Sequence, residues 1–119
     1  MINKVILVGN IGQKPETKFT ASGMQITKFS VATTENVKKG DNWEKETEWH
    51  NVVTFNKQAQ FVADFLDKGS KVYIEGRIKT SSWEDDNGQK KYKTEVIGNT
   101  VKSLDKKQTE ENKSGNVPF

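Results

Sequence analysis

The aromatic residues of this chain stand where packing does not obviously need them. Trp49 and Phe55 are six residues apart in a stretch rich in β-branched types, an even spacing that points both rings to one face of an unbroken strand. Trp83 closes another strand-like run, in which Arg77 and Lys79 share a charged face. Lysines interleave with these rings. Lys57 follows Phe55 by two positions, Lys79 precedes Trp83 by four, and Lys90, Lys91 and Lys93 crowd Tyr92. Flat faces on which unpaired bases stack, worth roughly 1–3 kcal/mol each in small strand-binding barrels, and point charges that follow phosphates are what a single-stranded nucleic acid requires. Trp43 lies in a polar stretch and is open to either role, packing or stacking. Phe29, Phe61 and Phe65 fit core positions. Of the 19 basic residues, Arg77 alone is arginine. Lysine neutralises phosphate without reading base edges, so strand binding here should ignore sequence.

Other chemistry finds little footing. His50 is the only histidine and has no serine or acid placed beside it by a signature spacing, which favours a packed or interface histidine over a catalytic one. Asp85-Asp86-Asn87-Gly88 resembles a calcium loop only superficially. With Gly88 at loop position 6, Trp83 falls where the first aspartate belongs and Thr94 where the closing glutamate belongs, so the run reads as a turn. Gly9 and Gly12 extend to no phosphate-loop or dinucleotide fingerprint. With no cysteine, disulfides and thiolate chemistry are excluded. No catalytic residue, metal or cofactor is expected.

The elements that must position the aromatics follow from periodicity. Ile2 to Ile11, with the run Val5-Ile6-Leu7-Val8, reads as a buried strand. Lys18–Thr20 and Met24–Thr34 flank Ala21-Ser22-Gly23 as a hairpin, and the parity slip from Met24 and Ile26 to Phe29 and Val31 predicts a bulge. Glu35 to Glu48 reads as a loop and Trp49–Phe55 as a strand. Residues 57–68 form an amphipathic helix with Asn56 as N-cap and Gly69 at its end. Lys71–Trp83 and Lys90–Val101 are strands. This order predicts an all-β OB-fold, a five-stranded Greek-key barrel over residues 1–102 with one short helix between strands 3 and 4. Residues 103–119, poor in apolar types, are expected to be a disordered tail.

The 119 residues suit one domain, and a hydrophobic fraction of 32% implies a thin core that invites self-association. The longest apolar run, Val5 to Val8, is far short of a membrane span or signal-peptide core, so a cytoplasmic protein is expected. The net charge of +3 is too small to announce nucleic acid by itself, but the tail holds three lysines and three acids, which leaves all of it on the barrel.

Four stretches resemble the bacterial single-stranded DNA-binding proteins: Asn3 through Gly12, Thr47-Glu48-Trp49-His50, Lys68 through Gly76, and the terminal Pro118-Phe119. The resemblance runs in one register from residue 1 to about residue 101. It implies an OB-fold that assembles as a homotetramer, coats single-stranded DNA during replication, recombination and repair, and takes part in no catalysis. Trp49, Phe55 and Trp83 match the family's base-stacking aromatics, Lys57, Lys68 and Lys79 its basic DNA path, and His50 a histidine near a subunit interface. A further stacking tryptophan of the family is replaced by the Val37 region, and Trp43 nearby is expected to substitute in part. The family's acidic tail recruits replication and repair enzymes. Here Pro118 and Phe119 remain, but the nearest acids are Glu110 and Glu111, so steering should be weak, as in a phage or plasmid member. An RNA-directed or primosome-type OB-fold is the rival binding module, and a nucleic-acid-processing enzyme the rival of another class.

Overall fold

The computed structural model describes residues 1–105. Val5–Ile11 (β1) alternates rather than being buried throughout: Leu7 and Ile11 face the core, whereas Ile6 and Val8 point outward. Glu16–Phe19 (β2) is a short exposed strand paired along the start of Gln25–Lys39 (β3), across a turn that requires Gly23 at φ 91°. Asn42–Phe55 (β4), the helix Asn56–Phe65 (α1), Lys71–Glu84 (β5) and Lys90–Ser103 (β6) follow.

Backbone pairing runs β1-β5-β6-β4-β3-β2, and β1 returns to β3 through Asn10↔Ala32 and Ile11↔Val31. The result is a closed five-stranded barrel of β1, β3, β4, β5 and β6, with β2 as an extra edge strand and the helix between the third and fourth barrel strands. Closure removes the free edges that a five-stranded sheet would otherwise expose. β4 and β6 are parallel, with Val52↔Val96 and Val53↔Ile97. The interior is filled by small branched residues, among them Val31, Val52, Val72 and Ile74, with Phe29 the one buried ring among the described residues.

Several details depart from expectation. The β3–β4 ladder has no register shift: the inward positions are Thr27, Phe29 and Val31, so the apparent slip arises because the inward residue at 27 is polar. Thr27 is fully buried, and its hydroxyl donates to the Ala59 carbonyl (3.0 Å), tying β3 to α1. The irregularity falls instead between β5 and β6, where Glu75 opposes Thr100 and Gly76 opposes Gly98, leaving Asn99 as the extra residue. Gly76 is obligatory there, since a Cβ would collide with the Ile97 carbonyl.

The helix is shorter than periodicity predicts, ending at Phe65. Leu66 turns extended (φ −115°, ψ 151°) into the core, and the next turn is held by Asp67 and Ser70 side chains, whose Oδ1 and Oγ accept from the amides of Lys68 (2.7 Å) and Asp67 (3.0 Å). Such local acceptors compete with helical bonding. Asn56 is not the N-cap. Phe55 holds that place in extended conformation, and Asn56 takes φ 52°, a region asparagine tolerates. Ala59, Val62 and Leu66 plug the barrel end. Phe65 is exposed, not core, its ring 5.4 Å from that of the half-buried Phe61. Gly69 does take positive φ, in the turn beyond the helix.

The largest correction concerns residues 35–48. They are not a loop: β3 and β4 stay paired from Ile26↔Phe55 to Lys39↔Asn42 and project past the barrel as a two-stranded ribbon, turned at Gly40 with φ 62°. β5 and β6 likewise pair out to Glu84↔Lys90, where Asp85 Oδ1 accepts from the amides of Asn87 (2.9 Å) and Gln89 (2.8 Å).

Candidate nucleic-acid interface

Because β4 is unbroken, Trp43, Trp49 and Phe55 fall on one side of a single strand, six residues apart in each step. At about 3.4 Å per residue their Cα atoms recur roughly every 20 Å. Trp43 opposes Lys38, Trp49 opposes Ala32 and Phe55 opposes Ile26. Trp43 is 67% and Trp49 58% exposed, whereas Phe55, at the barrel end of the row, is half-buried. Lys45 and Lys38 share the outer side of the ribbon with the two tryptophans.

The second ribbon brings Arg77, Lys79, Ser81 and Trp83 to one side of β5, opposite Ile97, Glu95, Lys93 and Lys91 of β6. Cross-strand partners point the same way, so Lys28, Val53, Ile97 and Arg77 form one row across the outside of the barrel. That row fixes the side of everything continuous with it. Trp49 and Trp83, the latter 49% exposed, therefore belong to the same outer surface, with a shallow groove beside them lined in part by Lys14, Lys28, Asn51 and Lys93. Lys90 parts from its neighbours and lies on the reverse side, 5.8 Å from the Tyr92 ring centroid. Two of the outer cations are partly offset, Lys93 by Glu95 at 3.4 Å and Lys91 by Asp85 at 3.9 Å, exposed pairs that hold little energy.

The reverse side of the first ribbon has the opposite charge. Glu35, Glu44, Glu46 and Glu48 alternate away from the tryptophans, with Lys39 bridging Glu46 (3.2 Å) and Glu44 (3.7 Å). An anionic strand is thus attracted to one side of the ribbon and repelled from the other. His50 also faces this inner side, its Nε2 2.9 Å from the Thr33 hydroxyl, near Val5, Leu7 and Ile78 at the barrel mouth.

The remaining candidates sit at the barrel's other end. Lys57 is exposed in the first turn of α1, next to Phe55. Lys68 lies in a turn pinned to β1, where the Gly69 amide donates to the Ile11 carbonyl (2.8 Å) and Asn10 Nδ2 donates to the Gly69 carbonyl (3.2 Å). Pro118 and Phe119 lie outside the described residues. Lys14, Lys28, Lys38 and Lys45 were not singled out from sequence. The common side of Lys28, Lys38 and Lys45 emerges only from the pairing register, and Lys14, between β1 and β2, shares a groove with Lys28. At the N-terminal end of β1 the hydrogen bond from Lys4 to Glu75 (3.0 Å), reinforced by that carboxylate's charge, holds the ammonium above the ordinary lysine range.

A model described as the single-strand binding protein family matches residues 2–104. A curated single-stranded DNA-binding protein of Xanthomonas axonopodis pv. citri (strain 306) is 45% identical over 104 residues, 87% of this chain. The chain spans 58% of that relative's length. Among solved structures, one described as a Plasmodium falciparum SSB complex with ssDNA superposes with a TM-score of 0.79 at 29% identity, covering 88% of this chain and 96% of that one. No helix among the described residues is long and apolar enough to cross a membrane.

Proposed function

The chain belongs to the single-strand binding protein family, and from that premise we propose that it binds single-stranded DNA without sequence preference. Bases stack on Trp49, Trp83, Phe55 and Trp43, while Lys57, Lys68, Arg77 and Lys79, joined by Lys91 and Lys93, neutralise phosphates. The observation that carries the reading is the outer surface itself: three tryptophans, each 49–67% exposed, on the cationic sides of β4 and β5, none of them part of the core. A monomeric protein gains nothing by holding such rings in water unless something covers them. Binding is by contact alone, with no bond made or broken.

The protein would act as a homo-oligomer, most simply a tetramer, keeping exposed strands unpaired during replication, recombination and repair in the cytoplasm of a bacterial or phage-infected cell. His50 is proposed near a subunit contact, beside the exposed Ile78. Pro118 and Phe119 are proposed as the tip met by replication and repair enzymes.

Titrating tryptophan emission with oligo-dT at two salt concentrations tests the central reading. Strong quenching that weakens with salt is expected, because each neutralised phosphate of a single strand adds about 0.7 to the logarithmic salt slope. Absence of quenching, or shortened strand after incubation with magnesium, overturns it.

A further inference from the structure

Most glycines of this chain have a local reason to be glycine. Gly23, Gly40, Gly69 and Gly88 take positive φ with open space around them, and Gly9 and Gly76 lie against a neighbouring strand's carbonyl. Gly12 fits neither group. Its φ lies outside the left-handed region, so its backbone would accept other residues. What forbids them is a side chain: a Cβ on Gly12 would overlap Cζ3 of the Trp49 indole and lie 2.9 Å from Cη2. The backbone here is held in place, its amide donating to the Ser30 carbonyl (3.0 Å) and the preceding Ile11 amide donating to the Ser70 carbonyl (2.9 Å). One end of the indole is therefore seated on a fixed peptide, while 58% of the residue remains open.

We infer that Gly12 is a positioning residue for Trp49: the missing side chain lets the six-membered edge of the indole close against the β1–β2 connection, which restricts the orientation of the plane offered to a base. The inference rests on the strand-binding reading above and deepens it. A stacking ring needs one side supported and one side free, since an unsupported indole must lose its side-chain freedom each time a base arrives. A methyl at position 12 would tilt the ring off its seat, leaving its chemistry unchanged but its plane wrong. Ser30 Oγ would also lie 3.1 Å from the added methyl, but a hydroxyl can rotate away in place, whereas the indole edge clears the methyl only if the whole ring moves.

The test is a double-mutant cycle in the full chain, Gly12→Ala against Trp49→Ala, read as affinity for oligo-dT. Gly12→Ala should weaken binding by about fivefold or more, the low end of one lost stack. In the Trp49→Ala background the same change should alter affinity by less than about twofold, because the ring it acts through is gone. Equal losses in both backgrounds, or no loss in the first, overturn the inference while Trp49 as a stacking residue stands. No loss from Trp49→Ala itself overturns both. A readout without DNA checks the contact directly. With Trp43→Phe and Trp83→Phe, Trp49 alone emits, and Gly12→Ala should shift its emission maximum and its access to acrylamide. Unchanged emission sinks the proposal. If Gly12→Ala lowers the thermal midpoint, Trp49→Ala should restore it, and failure to restore it counts against the contact.

Discussion

Single residues decide how much each aromatic contributes. Trp83 is half exposed and flanked on its own side by Lys79, Lys91 and Lys93, so a base stacked on it also places its phosphates among cations. Trp83→Ala should cost about 1–3 kcal/mol, a loss of roughly 5- to 150-fold in oligo-dT affinity, and Trp83→Phe should keep much of it. Lys93→Ala should behave differently. It weakens binding to all sequences alike and lowers the salt slope by about 0.7, which a titration series in potassium chloride would resolve. Trp43→Ala decides between the two roles left open for that ring by sequence. Trp43 sits on a paired strand with no core beneath it, so the substitution should leave the melting midpoint in place and lower affinity by about fivefold or more. Unchanged affinity would end the idea that it stands in for the tryptophan replaced at the Val37 region.

Elements separate stability from binding. Thr27 and Thr54 are fully buried, and their hydroxyls join β3, β4 and α1: Thr27 donates to the Ala59 carbonyl (3.0 Å) and Thr54 to the Thr27 carbonyl (2.9 Å). Thr27→Val takes a second donor from the Ala59 carbonyl, which keeps its partner within the helix, and removes the hydroxyl 2.9 Å from Thr17 Oγ1. It should destabilise the barrel by about 0.5–1.5 kcal/mol in urea denaturation without changing the affinity of the folded protein. The same threonine shows why sequence alone misplaced a bulge: alternation is read from apolar residues, and here a polar one holds an inward position by bonding to the helix. The ribbon of residues 35–48 was missed for a related reason. Both its sides face water, so no buried face imposes a two-residue apolar period, and its regularity lies in backbone pairing and in glutamates on one face with lysine and tryptophan on the other. The barrel strands were legible because each buries one face. That Trp49 and Phe55 share one side of β4, and Arg77, Lys79 and Trp83 one side of β5, was legible because even spacing survives any register. What sequence could not supply was which lysines share their side, since that depends on partners across the ladder. Replacing the ribbon tip, residues 36–45, with a short turn should therefore spare the fold and weaken strand binding.

At the scale of the whole molecule the unmet demand is on the outer side of β1. β1 presents Ile6 and Val8 outward, 56% and 48% exposed, beside Glu75 and Tyr73 of β5, with Lys4 drawn to Glu75. The ion pair acts at all ordinary pH: because the folded lysine is raised above 10.5, its contribution is complete below that value and fades only as pH climbs past it. Water is the poorer partner for the two branched side chains, and a second copy laid on this face would bury them at about 25 cal/mol per Å2 of apolar surface. Ile6→Lys with Val8→Lys places like charges there without touching the core, since both residues already point away from it. The expected outcome is a smaller particle by sedimentation at unchanged thermal transition of the barrel, and an unchanged mass would overturn β1 as a contact between copies. The consequence for binding follows from effective concentration. Each barrel of an oligomer that holds a strand presents the next barrel to the same strand at about millimolar concentration, so affinity for a long strand exceeds that for a short one by far more than its length. The lysine pair should therefore leave binding to a strand that fits one barrel nearly intact and weaken binding to a long oligo-dT by orders of magnitude. Equal losses on short and long strands would mean that the substitutions reached the stacking surface itself.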